Sequence, residues 1–213
     1  MKLYITRHGE TEWNKAGRIQ GSVDIPLNEC GIALACQTRD GMTAEGIRFD
    51  RVFSSPYLRA KETARILAEP SGAPVLLRDT IREMNFGGCE GVPLQEIRTN
   101  PLYADLNLCF DDPEQYRPVP PAEGYPQMFA RVDRFLKEEI LPLEGQCETL
   151  LAVCHGAIAR TFLSIIKRLP LAEFWKVSQP NCCVNLIEIQ NGQMTVRKEG
   201  HLYYELHENR GIL

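Results

Sequence analysis

Two of the four histidines stand directly after apolar, strand-like runs, and each is followed by glycine. His8 ends the first such run, and His155 ends the most apolar run of the chain. Histidine is the side chain whose charge changes near neutral pH, and an adjacent glycine lets backbone or ligand approach closely. The simpler interpretation is that the two histidines have unrelated roles. The occurrence of His-Gly after both runs favours one shared site instead. His201 and His207 lie in a polar tail and are predicted to be surface residues.

Two arginines and a carboxylate lie near the same runs. Arg7 precedes His8, and Arg59 lies in the first turn after the second predicted strand. A guanidinium group presents a rigid fork of donors that suits phosphate oxygens, although most arginines are solvated surface charges. Glu83 follows the third predicted strand and is predicted to lie at the same rim, unless it is an ordinary surface carboxylate. Neutral donors could come from the loop after the first strand, at Asn14, Gln20 and Gly21.

The elements that must position these residues alternate between strands and helices. Strands are predicted at residues 2–6, 50–54, 74–77 and 149–154, and a closing hairpin at 183–189 and 194–198. This alternation predicts an α/β fold, a three-layer sandwich with a mostly parallel central sheet flanked by helices. In such sheets ligands bind beyond the carboxyl ends of the strands, where both His-Gly pairs stand.

Capping residues predict where two helices begin. Asn28 can accept an orphan N–H in the first turn of a helix over residues 29–45. Ser55 and Pro56 suit the cap and first position of a second helix. The segment at about 87–125 is rich in proline and irregular, so we predict a cap insertion within a single domain spanning residues 1–213.

Composition excludes several classes of function. The chain has 213 residues, with 24 Lys+Arg against 28 Asp+Glu, and a net charge of −4. This mild acidity argues against a nucleic-acid partner. With neither a signal-peptide core nor a run of about 20 apolar residues, a cytoplasmic protein without a membrane partner is expected. Its eight cysteines contain no Cys-x-x-Cys pair, so buried thiols are expected and neither a metal nor another cofactor is predicted. The oligomeric state stays open.

Six segments between residue 3 and about residue 160 carry a family resemblance. They are LYITRHGETEWN (3–14), GRIQG (17–21), DIPL (24–27), SSPYLRAKETA (54–64), EMNFG (83–87) and VCHG (153–156). In this order and spacing they closely resemble the signature of the histidine phosphatase superfamily, the phosphoglycerate mutase-like proteins. The spread of matches makes this signal far more specific than a single Arg-His-Gly.

The resemblance implies a role for each of these residues. His8 would be the nucleophile that becomes a phosphohistidine, and Glu83 would protonate the leaving oxygen and later deprotonate water. The resemblance also implies that the non-bridging phosphate oxygens are surrounded by Arg7, Arg59 and His155. Asn14 would assist them. The helix that starts at Gly156 would add its N-terminal amides to this anion site. Whether burial or the nearby arginines control the pKa of Glu83 stays open.

Departures from the family pattern bear on the substrate. Glu83 is followed by MNFGG, without the basic run of the mutases, which resembles the phosphatase branch. Gly88 and Cys89 stand where that branch carries an acid and a tryptophan. Tyr125 stands near the place of a usual serine cap and would line the cap segment or lie in a surface turn. Candidate substrate-binding residues are Gln20, Gly21 and Ser22 of the first loop, and Phe86.

The sequence therefore predicts a metal-independent phosphatase, a hydrolase that acts on a small phosphorylated metabolite by phosphohistidine chemistry. A cofactor-dependent phosphoglycerate mutase is one alternative, and a catalytically silent phospho-ligand-binding protein is another. The pathway and the physiological substrate are not specified by these residues.

Overall fold

A computed structural model describes residues 1–205, so the prediction for His207 lies outside the described residues. One six-stranded sheet forms the centre. Its strands are β1 (Lys2–Arg7), β2 (Arg51–Ser54), β3 (Val75–Leu77), β4 (Thr149–Cys154), β5 (Val184–Gln190) and β6 (Gln193–His201), in the order β3-β2-β4-β1-β5-β6. The first four strands are parallel, and β5 and β6 run antiparallel to their neighbours. The predicted mostly parallel sheet is confirmed.

Helices cover both faces of the sheet. They are α1 (Glu12–Lys15), α2 (Glu29–Ala44), α3 (Leu58–Ala68), α4 (Leu94–Thr99), α5 (Ala104–Asp111), α6 (Tyr125–Phe135) and α7 (Gly156–Lys167). A π-helical turn at Leu136–Ile140 continues α6, and a 3-10 helix at Leu171–Lys176 precedes β5. Within residues 1–205, no helix has both the length and the apolar character that a membrane span requires.

Alternation along β1 divides the core into two layers. Leu3 and Ile5 point into a cluster that includes Phe135 of α6 and Phe162 of α7. Tyr4, between them, joins a second cluster on the opposite face, which holds residues of α2 and α3. The central strands are apolar on both sides because helices bury both faces, as a three-layer sandwich requires.

The register of the two central strands brings the two histidines together. Arg7 at the end of β1 pairs with Cys154 at the end of β4. The next residue of each strand is therefore a histidine, and both leave the sheet at the same edge. The His8 and His155 rings lie 5.1 Å apart between centroids.

One of the two predicted helix caps is wrong. Asn28 caps α2 as expected, since its Oδ1 accepts the N–H of Gly31 at 2.8 Å. In contrast, α3 begins at Leu58, whose N–H is bound at 2.7 Å by Asp24 of a distant loop. Ser55 is left outside the helix, and its hydroxyl faces His155 instead.

The predicted cap segment is more regular than its composition indicates. It contains α4, α5 and two 3-10 turns, Gly87–Cys89 and Pro101–Tyr103, before an irregular run from residue 112 to 124. Phe110 of α5 packs against Phe86, which follows Glu83 closely in the chain. The cap therefore lies directly over the edge of the sheet where the histidines emerge.

Candidate active site

The His8 ring is held by its own backbone neighbourhood. The ring is buried, with 3% of its surface exposed. Its Nδ1 lies 2.6 Å from the carbonyl oxygen of Gly9, and because that oxygen only accepts, Nδ1 carries the proton. Burial, followed by the charges of Arg59 and Arg7, holds the pKa of His8 well below its ordinary value. The ring is therefore neutral at pH 7, with a lone pair on Nε2.

His155 lies beside His8 and has one polar partner. Its Nε2 is 2.7 Å from the hydroxyl oxygen of Ser55, whereas its buried Nδ1 has no hydrogen-bond partner among the described residues. Burial, Arg59 and His8 hold the pKa of His155 well below its ordinary value. The ring also meets Tyr57 edge-on, which fixes its plane from the other side.

Two buried arginines supply positive charge next to these rings. Arg7 Nη1 donates to the carbonyl of Gln179 at 2.7 Å. Arg59 is fully buried, and its Nη1 and Nη2 donate to two carbonyls of the loop after α1, while its Nε has no hydrogen-bond partner within residues 1–205. Burial lowers the pKa of Arg59 to about 10, so the side chain still carries its charge at neutral pH.

Glu83 presents a carboxyl group to the same edge of the sheet. Its Oε1 accepts the N–H of Met84 at 2.9 Å, and its Oε2 accepts the N–H of Ala157, in the first turn of α7, at 3.3 Å. Burial raises the pKa of Glu83 and outweighs the opposing effects of these N–H groups and of Arg59 and Arg7. Burial thus dominates the balance that the sequence left open.

Asn14 has its amide orientation fixed by three donors. Its Oδ1 accepts from the N–H and the hydroxyl of Thr11 and from Nδ2 of Asn181, at 3.1–3.3 Å. The NH2 group of Asn14 is consequently the part available to a ligand. Asn181 also donates to the carbonyls of His8 and Gly9, so it holds the backbone of the histidine as well.

Most of the predicted residues line one narrow cavity of about 60 Å³. Seven are on its wall: Arg7, His8, Asn14, Gln20, Glu83, Phe86 and Gly156. The structure does not place Arg59, His155, Gly21 or Ser22 on this wall. Both Arg59 and His155 lie near His8. The polar groups of Gly21 and Ser22 are engaged with protein partners, so their substrate role stays a prediction without added support.

Arg160, Trp175 and Phe110 also line this wall, and neither Arg160 nor Trp175 was predicted from the sequence. Arg160 is buried, donates to the carbonyls of Val177 and Gly156, and lies over the ring of Trp175. Its position four residues after Gly156 on a helix was the available signal, because that spacing puts both on one face. Trp175 lies in a distant 3-10 helix and carried no such signal. Phe110, an aromatic residue of the cap segment, stacks on Phe86 and contacts the ring of Trp175 at a tilt.

All eight cysteines are free thiols. Cys109, Cys154, Cys182 and Cys183 are buried, in agreement with the expected structural thiols, and the other four are partly exposed.

Comparisons with known proteins identify relatives of this chain. The model of the histidine phosphatase superfamily (branch 1) matches residues 3–200. The adenosylcobalamin/alpha-ribazole phosphatase of Salmonella typhimurium is 30% identical over 198 residues, which cover 92% of this chain and 95% of the relative. A probable phosphoglycerate mutase, GpmB of Proteus mirabilis, is 29% identical over 90% of this chain and 86% of its own. Among solved structures, Bacillus stearothermophilus YhfR superposes with a TM-score of 0.83 and 31% identity, covering 94% of this chain and 97% of that chain.

Proposed function

The chain belongs to the histidine phosphatase superfamily and is a phosphatase enzyme, and we propose that it hydrolyses a small phosphomonoester through a phosphohistidine on His8. The observation that carries this proposal is the contact between His8 Nδ1 and the Gly9 carbonyl. With Nδ1 protonated and the ring neutral, the lone pair of Nε2 is the nucleophile.

The first step transfers the phosphoryl group to the enzyme. Nε2 of His8 forms a bond to phosphorus as the bond between phosphorus and the ester oxygen breaks. Glu83 gives its proton to the departing oxygen, so the leaving group is released as an alcohol. The raised pKa of Glu83 supports this assignment, because a carboxyl group must hold a proton before it can donate one.

The second step returns the enzyme to its starting state. Glu83, now a carboxylate, takes a proton from water as the water oxygen attacks phosphorus. The bond between phosphorus and Nε2 breaks, which releases inorganic phosphate and restores the neutral His8. The same carboxyl group thus serves as acid and then as base.

Charge stabilisation of the transferring phosphoryl group is assigned to Arg7, Arg59, His155 and Asn14. Two buried nitrogen atoms, Arg59 Nε and His155 Nδ1, have no hydrogen-bond partner among the described residues. Buried polar atoms are rarely left in this state, and a bound phosphoryl group would supply acceptor oxygens for the N–H of Arg59. The N-terminus of α7 at Gly156 adds backbone dipoles to the same site.

The substrate is proposed to be a small phosphorylated metabolite of the cytoplasm. The narrow cavity supports a small group next to His8, and Gln20 and Phe86 are the selectors proposed on its wall. A screen of phosphorylated metabolites for released phosphate would identify the compound, and the pathway would follow from it.

The test is a comparison of His8→Ala with His201→Ala, a matched change on the edge strand β6. We expect His8→Ala to lose hydrolysis of p-nitrophenyl phosphate in the presence of a chelator, while His201→Ala retains it. Rapid quenching at neutral or alkaline pH should trap one phosphoryl group on the His8 peptide of the wild-type enzyme. Undiminished hydrolysis by His8→Ala would overturn the proposal, and binding without any trapped phosphohistidine would favour the silent binding protein.

The mutase alternative is separated by its products. No cation follows Glu83 in the run Met84 to Gly88, which supports transfer to water over transfer to a second position of a bound glycerate. A coupled assay with bisphosphoglycerate should therefore yield more free phosphate than isomer. An excess of isomer would establish the mutase.

A further inference from the structure

The carboxylate of Glu90 organises the loop formed by residues 21–23. Its Oε1 accepts the N–H of Ser22 at 2.8 Å and that of Phe86 at 3.0 Å. Its Oε2 accepts the N–H of Val23 at 2.8 Å, and the Ser22 hydroxyl lies 3.1 Å from both oxygens. A single side chain of the cap segment therefore connects loop 21–23 to Phe86, which lines the same cavity as Glu83.

The opposite side of loop 21–23 holds Arg59. The carbonyl of Gly21 accepts from Arg59 Nη2 at 2.7 Å, and the carbonyl of Val23 accepts from Nη1 at 2.9 Å. The N–H groups of Ser22 and Val23 thus face Glu90, while the carbonyls of Gly21 and Val23 face the arginine. This arrangement connects Glu90 to Arg59 through three residues of backbone.

Gly21 allows the close approach that this connection needs. A Cβ at this position would lie 2.3 Å from Oε1 of Glu90 and 2.6 Å from the carbonyl oxygen of Met84. Any larger residue would push loop 21–23 away from Glu90 or displace the backbone at Met84. The loop is therefore packed against the carboxylate without space to shift.

The position of loop 21–23 determines the orientation of the planar guanidinium group of Arg59. Because both terminal nitrogens of Arg59 bind carbonyls of one short loop, the positions of those carbonyls set the plane of the group. That plane also directs Nε, the buried donor that has no partner among the described residues. A shift of the loop would therefore change the direction in which Nε points.

We propose that Glu90 is a positioning residue for the phosphatase reaction, which holds loop 21–23 so that the loop orients Arg59 toward the phosphoryl group on His8. The link from Glu90 to Arg59 stands on the contacts above, whereas the task given to Arg59 rests on the proposed function. In this proposal Gly21 and Ser22 help to position Arg59 and do not bind the substrate.

A double-mutant cycle on the full chain tests the proposal, with orthovanadate as the phosphate analogue and p-nitrophenyl phosphate as substrate. Glu90→Ala should weaken orthovanadate binding by about 10- to 100-fold, the range expected when a catalytic group is misplaced by about 1 Å. In an Arg59→Met background the same change should add less than about threefold, because its effect passes through Arg59.

Two further variants keep the result interpretable. Glu90→Gln retains the shape of the side chain and one acceptor oxygen, so it should fold and show an intermediate loss. Glu138→Ala, a matched change at an exposed position of the π-helical turn, should bind orthovanadate like the wild type. Thermal melting of each variant establishes that the folded protein is being compared.

The possible outcomes separate the two proposals. Wild-type affinity in both Glu90 variants, or an equal loss with and without Arg59, would overturn the positioning role and leave the phosphatase proposal intact. Retained hydrolysis by His8→Ala, combined with a non-additive cycle, would overturn the phosphohistidine mechanism and leave the link from Glu90 to Arg59 intact. A wild-type protein that binds no orthovanadate would overturn both.

Discussion

The Nε2 atom of His155 lies 2.7 Å from the hydroxyl oxygen of Ser55, across two neighbouring parallel strands. Ser55 follows β2 and His155 follows β4, so the contact joins the ends of two strands at the edge of the sheet where His8 emerges. Its effect is to fix the orientation of a ring that otherwise makes only ring contacts among residues 1–205.

Replacing Ser55 by alanine should therefore reduce turnover without preventing folding. We expect kcat for p-nitrophenyl phosphate to fall by about 3- to 10-fold, which corresponds to the loss of one hydrogen bond worth about 1 kcal/mol. Ser54→Ala is the matched control, because the buried Ser54 hydroxyl donates to the carbonyl of Ser55 and not to His155. Equal activity of the two variants would show that the contact with His155 does not matter to the reaction.

The effect of replacing Glu83 by glutamine should depend on the leaving group. An alkoxide needs a proton when it departs, whereas p-nitrophenolate departs readily without one. In a single turnover we expect Glu83→Gln to slow formation of the phosphohistidine from an alkyl phosphate by about 100- to 10,000-fold and from p-nitrophenyl phosphate by much less. The phosphohistidine formed from p-nitrophenyl phosphate should still be trapped, and it should break down slowly because the base of the second step is missing. The same loss in the rate of phosphohistidine formation for both substrates would contradict a role as general acid.

The buried histidines should make stability depend on pH. His8 and His155 have pKa values below the ordinary value of 6.5, so the unfolded chain binds more protons than the folded one below that pH. Their contribution to the free energy of unfolding is present above about pH 6.5 and is lost as the pH falls through the folded pKa values. Each histidine contributes a slope of at most about 1.4 kcal/mol per pH unit.

Urea unfolding of the wild type and of His8→Asn at several pH values measures this slope. We expect the variant to lose less stability than the wild type between pH 6.5 and pH 5. Identical pH profiles would mean that His8 is not held in its neutral form by the fold.

The hydroxyl of Tyr125 should hold the cap segment to the domain. It donates to the carbonyl of Cys109 at 2.5 Å and accepts from Trp175 Nε1 at 2.7 Å, which joins α5, α6 and the wall of the cavity. Tyr125→Phe should cost about 1–2 kcal/mol and lower the melting temperature by about 2–4 °C for each kcal/mol.

Tyr116→Phe is the control for this change. The Tyr116 ring is buried against Tyr125, but its hydroxyl makes no hydrogen bond to residues 1–205. Its melting temperature should remain near that of the wild type. A larger loss in Tyr116→Phe than in Tyr125→Phe would exclude the proposed anchor.

The fold was predictable because its strongest signals are local. The apolar runs of β1 and β4 could only be strands covered on both faces, and the residues that follow them had to meet at one edge. The Asn28 cap was predictable for the same reason, since the N–H that donates to its Oδ1 belongs to Gly31, three residues away along the chain.

Contacts between distant segments were not predictable in this way. Ser55 is a residue type that favours a helix cap, but the N–H of Leu58 is bound instead by Asp24, from a loop 34 residues before Leu58. Likewise, Trp175 reaches the cavity from a 3-10 helix whose sequence has no pattern pointing to the site. The direction of the pKa shift of Glu83 could be determined only from the structure. Burial raises this pKa and the nearby arginines lower it, so the direction depends on which effect is larger.

The order of the strands also determines when β1 can pair with its neighbours during synthesis. β1 carries the nucleophile at its end, yet its sheet partners are β4 and β5, with Lys2 paired to Thr149 on one side and to Glu188 on the other. During synthesis the ribosome must therefore release most of the chain before this first strand finds either neighbour. The nascent protein exposes an unpaired apolar strand for most of its translation, and it acquires its active site among the last steps of folding.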